Sequence, residues 1–164
     1  MVDLANAFCS IAIAAESQDQ FAFAWEGHQW MFQDLPEGYL YSPTTCHGLV
    51  AGDLEKWPQP KSVQLFHYID NVLLTSDSFA DLEQCAPELM QHLESCGWAV
   101  KATKIQGPIL SVKFLQNIWS DKIKVIPETV VDKIQMFPWP TTVTQLQIYG
   151  GLFGYGRMFI PHLA

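Results

Sequence analysis

Charge is what this chain has least of: 16% of its 164 residues are charged, against 49% hydrophobic. A surface so thinly charged has little protection against self-association. The charge present is acidic, at a formal net of −8, which argues against a generic basic surface for nucleic acid. The imbalance is uneven along the chain. Residues 1–120 hold 14 acids against 5 lysines, and residues 121–164 hold 3 acids against 4 bases. Cysteine is sparse, and Cys9, Cys46, Cys85 and Cys96 lack the CxxC spacing of a zinc site. Four unpaired thiols fit a reducing compartment, and a cytoplasmic location is expected. No apolar run approaches the roughly 18 residues of a membrane span. A basic signal-peptide n-region is missing, and so are internal repeats and low-complexity tracts. The opening M-V-D-L-A-N-A-F reads as the middle of a structural unit, so the sequence is expected to be part of something larger.

What the chain does have is apolar bulk, including 6 Trp, 10 Phe and 5 Tyr, enough for the core of one domain or one domain plus a fragment. M-V-D-L-A-N-A-F-C-S-I-A-I is apolar on both faces, as a buried strand and a short turn would be. F-A-F-A-W-E-G-H-Q-W-M-F predicts a hairpin turning at Glu26-Gly27. A loop punctuated by Pro36, Gly38 and Pro43 follows, and Ser42 is placed to cap a helix with Pro43 at its first position, ended by Pro58. Val63–Tyr68 and Val72–Thr75 predict a second hairpin, with Asp70 and Asn71 as its turn. Leu82, Cys85, Ala86, Leu89, Met90 and Leu93 keep a helical period that Gly97 closes. W-A-V-K-A and I-L-S-V-K-F-L-Q-N-I-W read as two further strands. Two short helices separated by P-W-P follow Pro127. The fold class expected is α+β, an antiparallel sheet with helices on one face plus a small helical appendage beginning near residue 127.

Asp3 lies in a buried-type strand and Asp70 at a hairpin tip. Enzymes of nucleotidyl transfer hold two Mg²⁺ ions about 3.5–4 Å apart between carboxylates, and Mg²⁺ takes oxygen ligands in near-octahedral order. A strand carrying Asp3 beside a hairpin carrying Asp70 could supply such a clamp. Each acid also has an ordinary structural reading, as a lone strand Asp and an Asp-Asn turn.

In order along the chain, V-D-L-x-x-A-F, L-P-x-G-Y-x-x-S-P, Y-I-D-N and V-K-F-L resemble the palm of retroviral reverse transcriptases, most closely the gammaretrovirus-type polymerases of endogenous retroviruses. The resemblance covers essentially the whole chain, and the closing G-Y-G-R-M-F-I-P-H-L-A looks like an early thumb segment. It implies a palm over residues 1–126 and a partial thumb over 127–164. It also implies Mg²⁺ as cofactor, with template-primer nucleic acid and a deoxynucleoside triphosphate as partners. Asp3 and Asp70 match the metal-binding acids. Phe8 matches the residue that blocks a ribose 2′-OH, although on pattern alone it is as readily a core aromatic. Glu37 and Gly38 fall in a loop that contacts template and nucleotide, and Tyr68 opens the metal hairpin. Lys104 matches a lysine that protonates the leaving pyrophosphate, with a solvated loop lysine as the alternative. Val112–Trp119 matches the hairpin that grips the primer end.

The departures from the family pattern bear on activity. Asn71 replaces the second hairpin Asp, leaving two carboxylates of three. Asn6 stands for a usual Asp, Ala5 for Lys, Glu37 for Gln and Gln116 for a primer-grip Gly. The fingers and RNase H segments have no counterpart in the sequence. The expectation is therefore a degenerate, catalytically inactive fragment of an endogenous retroviral RNA-directed DNA polymerase. The alternatives are an active two-metal polymerase domain, or a non-catalytic module that binds protein, nucleic acid or a second copy through apolar surface.

Overall fold

A computed structural model describes residues 1–115, 117–120, 123–125 and 128–156. Gln116 and the thumb-like stretch from Arg157 onward lie outside them. The chain divides into two compact units, Met1–Pro108 and Ile109–Ala164.

The first unit is built on the sheet order β1-β5-β4, from Val2–Asp3, Asn71–Ser76 and Val63–Tyr68, with both pairings antiparallel. β4 alternates: Val63, Leu65 and His67 turn inward while Gln64, Phe66 and Tyr68 are exposed, the period-2 signature of a half-buried strand. Helices α1 (Ser42–Leu54) and α2 (Phe79–Ser95) each present an i, i+4, i+8 stripe to the core, Cys46-Val50-Leu54 and Cys85-Leu89-Leu93. These stripes close over Leu4, Val63 and Val72, with Trp57 and Trp98 filling the margins. Each fully buried leucine or valine there contributes roughly 1.5–3 kcal/mol of apolar burial.

Local signals explain the ends of α2. The Ser78 hydroxyl accepts the Asp81 amide at 3.3 Å as an N-cap. At the other end the Gly97 amide donates to Glu94 O and the Trp98 amide to Leu93 O, both at 3.0 Å, with Gly97 at φ +94°. That pair of bonds is a Schellman closure, which favours glycine at the left-handed position.

β2 (Ala22–Trp25) and β3 (His28–Met31) form a separate two-stranded hairpin. Glu26 and Gly27 have φ of 51° and 74°, both positive as a type I′ turn requires. Every residue of both strands is exposed, Trp25 at 63% and Trp30 at 53%.

In the second unit β6 (Ser111–Phe114), β7 (Asn117–Ser120) and β8 (Ile123–Val125) form an antiparallel sheet. Phe114 is buried, and the Trp119 indole donates to its carbonyl at 3.2 Å. α3 (Glu128–Gln135) and α4 (Val143–Gly156) follow, and Phe137 in the connection between them makes a ring contact with Tyr149 of α4.

Three local expectations are corrected. Ser42 is not the cap of α1: Tyr41 holds that position, and the Ser42 hydroxyl, fully buried, donates to Pro36 O at 2.6 Å. The loop wins the hydroxyl because a buried donor needs its partner more than a helix end open to water does. W-A-V-K-A is not a strand; it contributes a bridge between Val100 and Leu4 and the bond from Ala5 N to Ala99 O at 2.8 Å. The turn of the β4–β5 hairpin is Ile69-Asp70 rather than Asp70-Asn71, because Tyr68 pairs with Asn71 in the ladder.

Candidate functional site

The first unit brings four of the sequence-predicted residues together at the open end of the β1-β5-β4 sheet. β1 places Asp3 directly opposite Asn71 of β5. The Leu4 amide donates to Asp70 O at 2.8 Å, so the hairpin tip is tied to the strand that carries Asp3. A 3-10 turn at Ala102–Lys104 then brings the Lys104 ammonium to 2.6 Å from Asp3 Oδ1. The Asn71 amide nitrogen donates to Asp70 Oδ1 at 2.7 Å. Each carboxylate therefore already has a hydrogen-bond donor from the protein.

The electrostatics agree with this arrangement. Lys104 titrates above its ordinary value, first because it donates to the Asp3 carboxylate; burial opposes this in part, and the charges of Asp3 and Asp70 add to it. An ammonium whose proton is held more tightly is a poorer general acid near neutral pH.

The remaining predicted residues are not gathered at this cluster. The Phe8 ring is half-buried and packs against the core cluster, in line with its reading as a core aromatic. Glu37 and Gly38 lie exposed in the loop before α1, and a Cβ at Gly38 would meet nothing within 4 Å. Tyr68 is 51% exposed on the outer face of the hairpin.

Sequence reasoning missed the groups that shape the turn. Ile69 has φ +56°, the left-handed region that a β-branched residue avoids at a cost of about 1–2 kcal/mol. Asp70 is not among the positive-φ residues, so the turn follows the type II′ pattern, whose first central position favours glycine. Two histidines flank it. The Ile69 amide donates to His47 Nδ1 at 3.1 Å, and His67 Nε2 donates to the Ile69 carbonyl at 2.9 Å. The two imidazoles stack at 4.2 Å with 8° between their planes. The available signal was a histidine at the inward-facing end of the Val63-Leu65-His67 alternation, where a polar ring needs a partner.

The resemblance implies Mg²⁺ at this cluster. Mg²⁺ would find carboxylate oxygens on Asp3 and Asp70, one bound to Lys104 and the other accepting from the amide nitrogen of Asn71. Among the described residues no group of three His, Cys, Asp or Glu side chains could hold a metal ion. The residues present do not fit a two-ion magnesium centre. Among the same residues no helix is long and apolar enough to cross a membrane.

Comparison with known proteins agrees with the fold. The family model described as reverse transcriptase (RNA-dependent DNA polymerase) matches residues 1–126. The chain is 36% identical over 166 residues to the Gag-Pol polyprotein of Walleye dermal sarcoma virus, covering 100% of this chain and 9% of the viral protein. It is 30% identical to the Gag-Pol polyprotein of Avian reticuloendotheliosis virus, covering 100% of this chain and 15% of that protein. A solved foamy viral protease-reverse transcriptase in complex with an RNA/DNA hybrid superposes with a TM-score of 0.83 at 28% identity, over 95% of this chain and 21% of the other. The chain thus spans only about a tenth to a fifth of the length of these relatives. It belongs to the reverse transcriptase family, in its retroviral branch.

Proposed function

We propose that this chain is a non-catalytic remnant of a retroviral RNA-directed DNA polymerase, with a palm over residues 1–126 and a partial thumb over 127–164. The observation that carries the reading is the pairing of both candidate metal ligands with protein donors, Asp3 with Lys104 and Asp70 with Asn71. A two-ion centre needs about four positive charges set against clustered carboxylates and phosphates. Here two carboxylates face one ammonium and one neutral amide. The structural relative is bound to an RNA/DNA hybrid, which supports template-primer as an ancestral partner; a deoxynucleotide is implied by the family resemblance alone. A net charge of −8 weakens both. The exposed aromatics of β2–β3 support a remaining role as an interaction surface for a protein partner or a second copy. All four thiols are free, consistent with a reducing, cytoplasmic location.

Primer extension on an RNA template with Mg²⁺ or Mn²⁺ tests the proposal. No incorporation is expected, and Asn71→Asp alone does not restore it. Robust extension by the unaltered chain overturns the reading. Salt-dependent duplex binding without extension would reassign the module to nucleic-acid binding.

A further inference from the structure

Ile69 is bonded through both of its backbone polar groups to imidazoles from two different elements, His47 on α1 and His67 on β4. Its backbone is left-handed, a conformation that its own side chain disfavours. The conformation persists only if the surroundings over-determine it. Two directed hydrogen bonds, one to the amide and one to the carbonyl of the same residue, do that. From these contacts we infer that His47 and His67 are positioning residues, a backbone clamp that fixes the Ile69-Asp70 turn and thereby holds Asp70 on Asn71 and on the amide of Leu4.

The chemistry of the two rings is complementary. His47 must present a bare Nδ1 to accept the Ile69 amide, which leaves its proton on Nε2. His67 must carry its proton on Nε2 to reach the Ile69 carbonyl. Stacking locks the rings face to face, so neither can flip to the other tautomer's geometry without losing its bond. The ionisable groups facing the pair are Asp70 and, at 6.4 Å ring to ring from His47, Tyr68. Burial holds His67 below the ordinary histidine range, and the neighbouring His47 adds to that, against the pull of the Ile69 carbonyl and of Asp70. In the clamp His47 accepts from the Ile69 amide and His67 donates to its carbonyl. The clamp also ties the N-terminal half of α1, and with it the Leu35–Tyr41 loop that the Ser42 hydroxyl anchors, to the tip of the hairpin. This inference goes beyond the reading above, because the clamp acts on backbone geometry whether or not the chain extends a primer.

The test is hydrogen exchange and NMR on the whole chain at pH 7.5, following the Ile69 amide and the Asn71 side-chain amide. His47→Ala is expected to lose at least tenfold of the Ile69 amide protection and to shift the Asn71 amide signals. His47→Asn, whose side-chain oxygen occupies the place of Nδ1, is expected to restore both; His47→Gln, longer and with its oxygen beyond that place, is not. If His47→Ala fails to fold, the Asn and Gln variants carry the comparison alone. Unchanged Ile69 protection in a folded His47→Ala chain overturns the clamp. So does equal rescue by Gln and Asn, which would leave the ring a packing role only.

Discussion

Lys104 reaches across the sheet end to Asp3 with its ammonium 2.6 Å from the carboxylate, joining residues 101 positions apart. Both side chains are partly exposed, at 41% and 28%, so the pair is worth little to the fold, under about 1 kcal/mol after solvent screening. Its effect is on what the acids can accept. Lys104→Met is expected to leave the urea midpoint nearly unchanged while raising Mn²⁺ affinity roughly tenfold, since a positive charge beside the site opposes a second cation. Electron paramagnetic resonance titration reads the free ion directly. An unchanged affinity would show that Lys104 does not neutralise the acid pair.

The core predicts an alkaline limb of stability. Cys46 is fully buried on α1, and burial, with the charge of Asp70 adding, pushes its thiol up from 9.0 to about 11. In the unfolded chain the thiol ionises near its ordinary value, whereas in the fold it stays protonated to higher pH. The folded state therefore binds more protons between the two values, and stability is full below pH 9 and lost as pH rises toward 11. The loss is on the order of 2 kcal/mol. Urea unfolding at pH 8 and pH 10.5 measures it. Cys46→Ala should remove most of this slope, whatever offset its smaller side chain introduces.

Packing and capping in α2 give two separable costs. Leu89 and Leu93 are both 0% exposed. Leu89→Ala is expected to cost about 2–5 kcal/mol through lost burial and the cavity left behind. Gly97→Ala meets no steric obstacle, as nothing lies within 4 Å of its Cβ position. Its cost, about 1–2 kcal/mol, comes from φ +94° alone. Thermal unfolding of both variants should rank them in that order; a neutral Gly97→Ala would mean the Schellman closure relaxes without loss.

Much of the first unit was legible because local chemistry and tertiary packing agree there. The Glu26-Gly27 turn, the α2 stripe and its closing glycine all carry their own signals in the sequence. Errors came where packing overrode local preference. Asp-Asn is a favoured turn pair, yet the ladder register and the two histidines move the turn to Ile69-Asp70. Ser42 looked like a cap and became a buried anchor for the Pro36 carbonyl. The meeting of Asp3, Asp70 and Lys104 followed from the family resemblance and not from spacing, because 101 positions separate Asp3 from Lys104. Of the histidine clamp the sequence signalled only His67 on the inward face of β4, since His47 and His67 meet only when α1 packs on β4.

Asn71 offers the sharpest comparison. Its amide nitrogen donates to Asp70 at 2.7 Å, and Asn71→Asp replaces that donor with a second carboxylate. Without divalent ions the variant is expected to lose about 1.5–3 kcal/mol at pH 7, the worth of a hydrogen bond to a charged group. Like charges so close raise the pKa of one acid of the pair. The folded state then binds the extra proton, so the penalty is full above the raised value and relieved as pH falls toward about 4. Millimolar Mg²⁺ should restore the thermal midpoint of the variant and leave that of the unaltered chain where it is. Primer extension is expected to stay absent in both. Equal stability of the two chains at pH 7 without metal would show that the Asn71 amide does not satisfy Asp70.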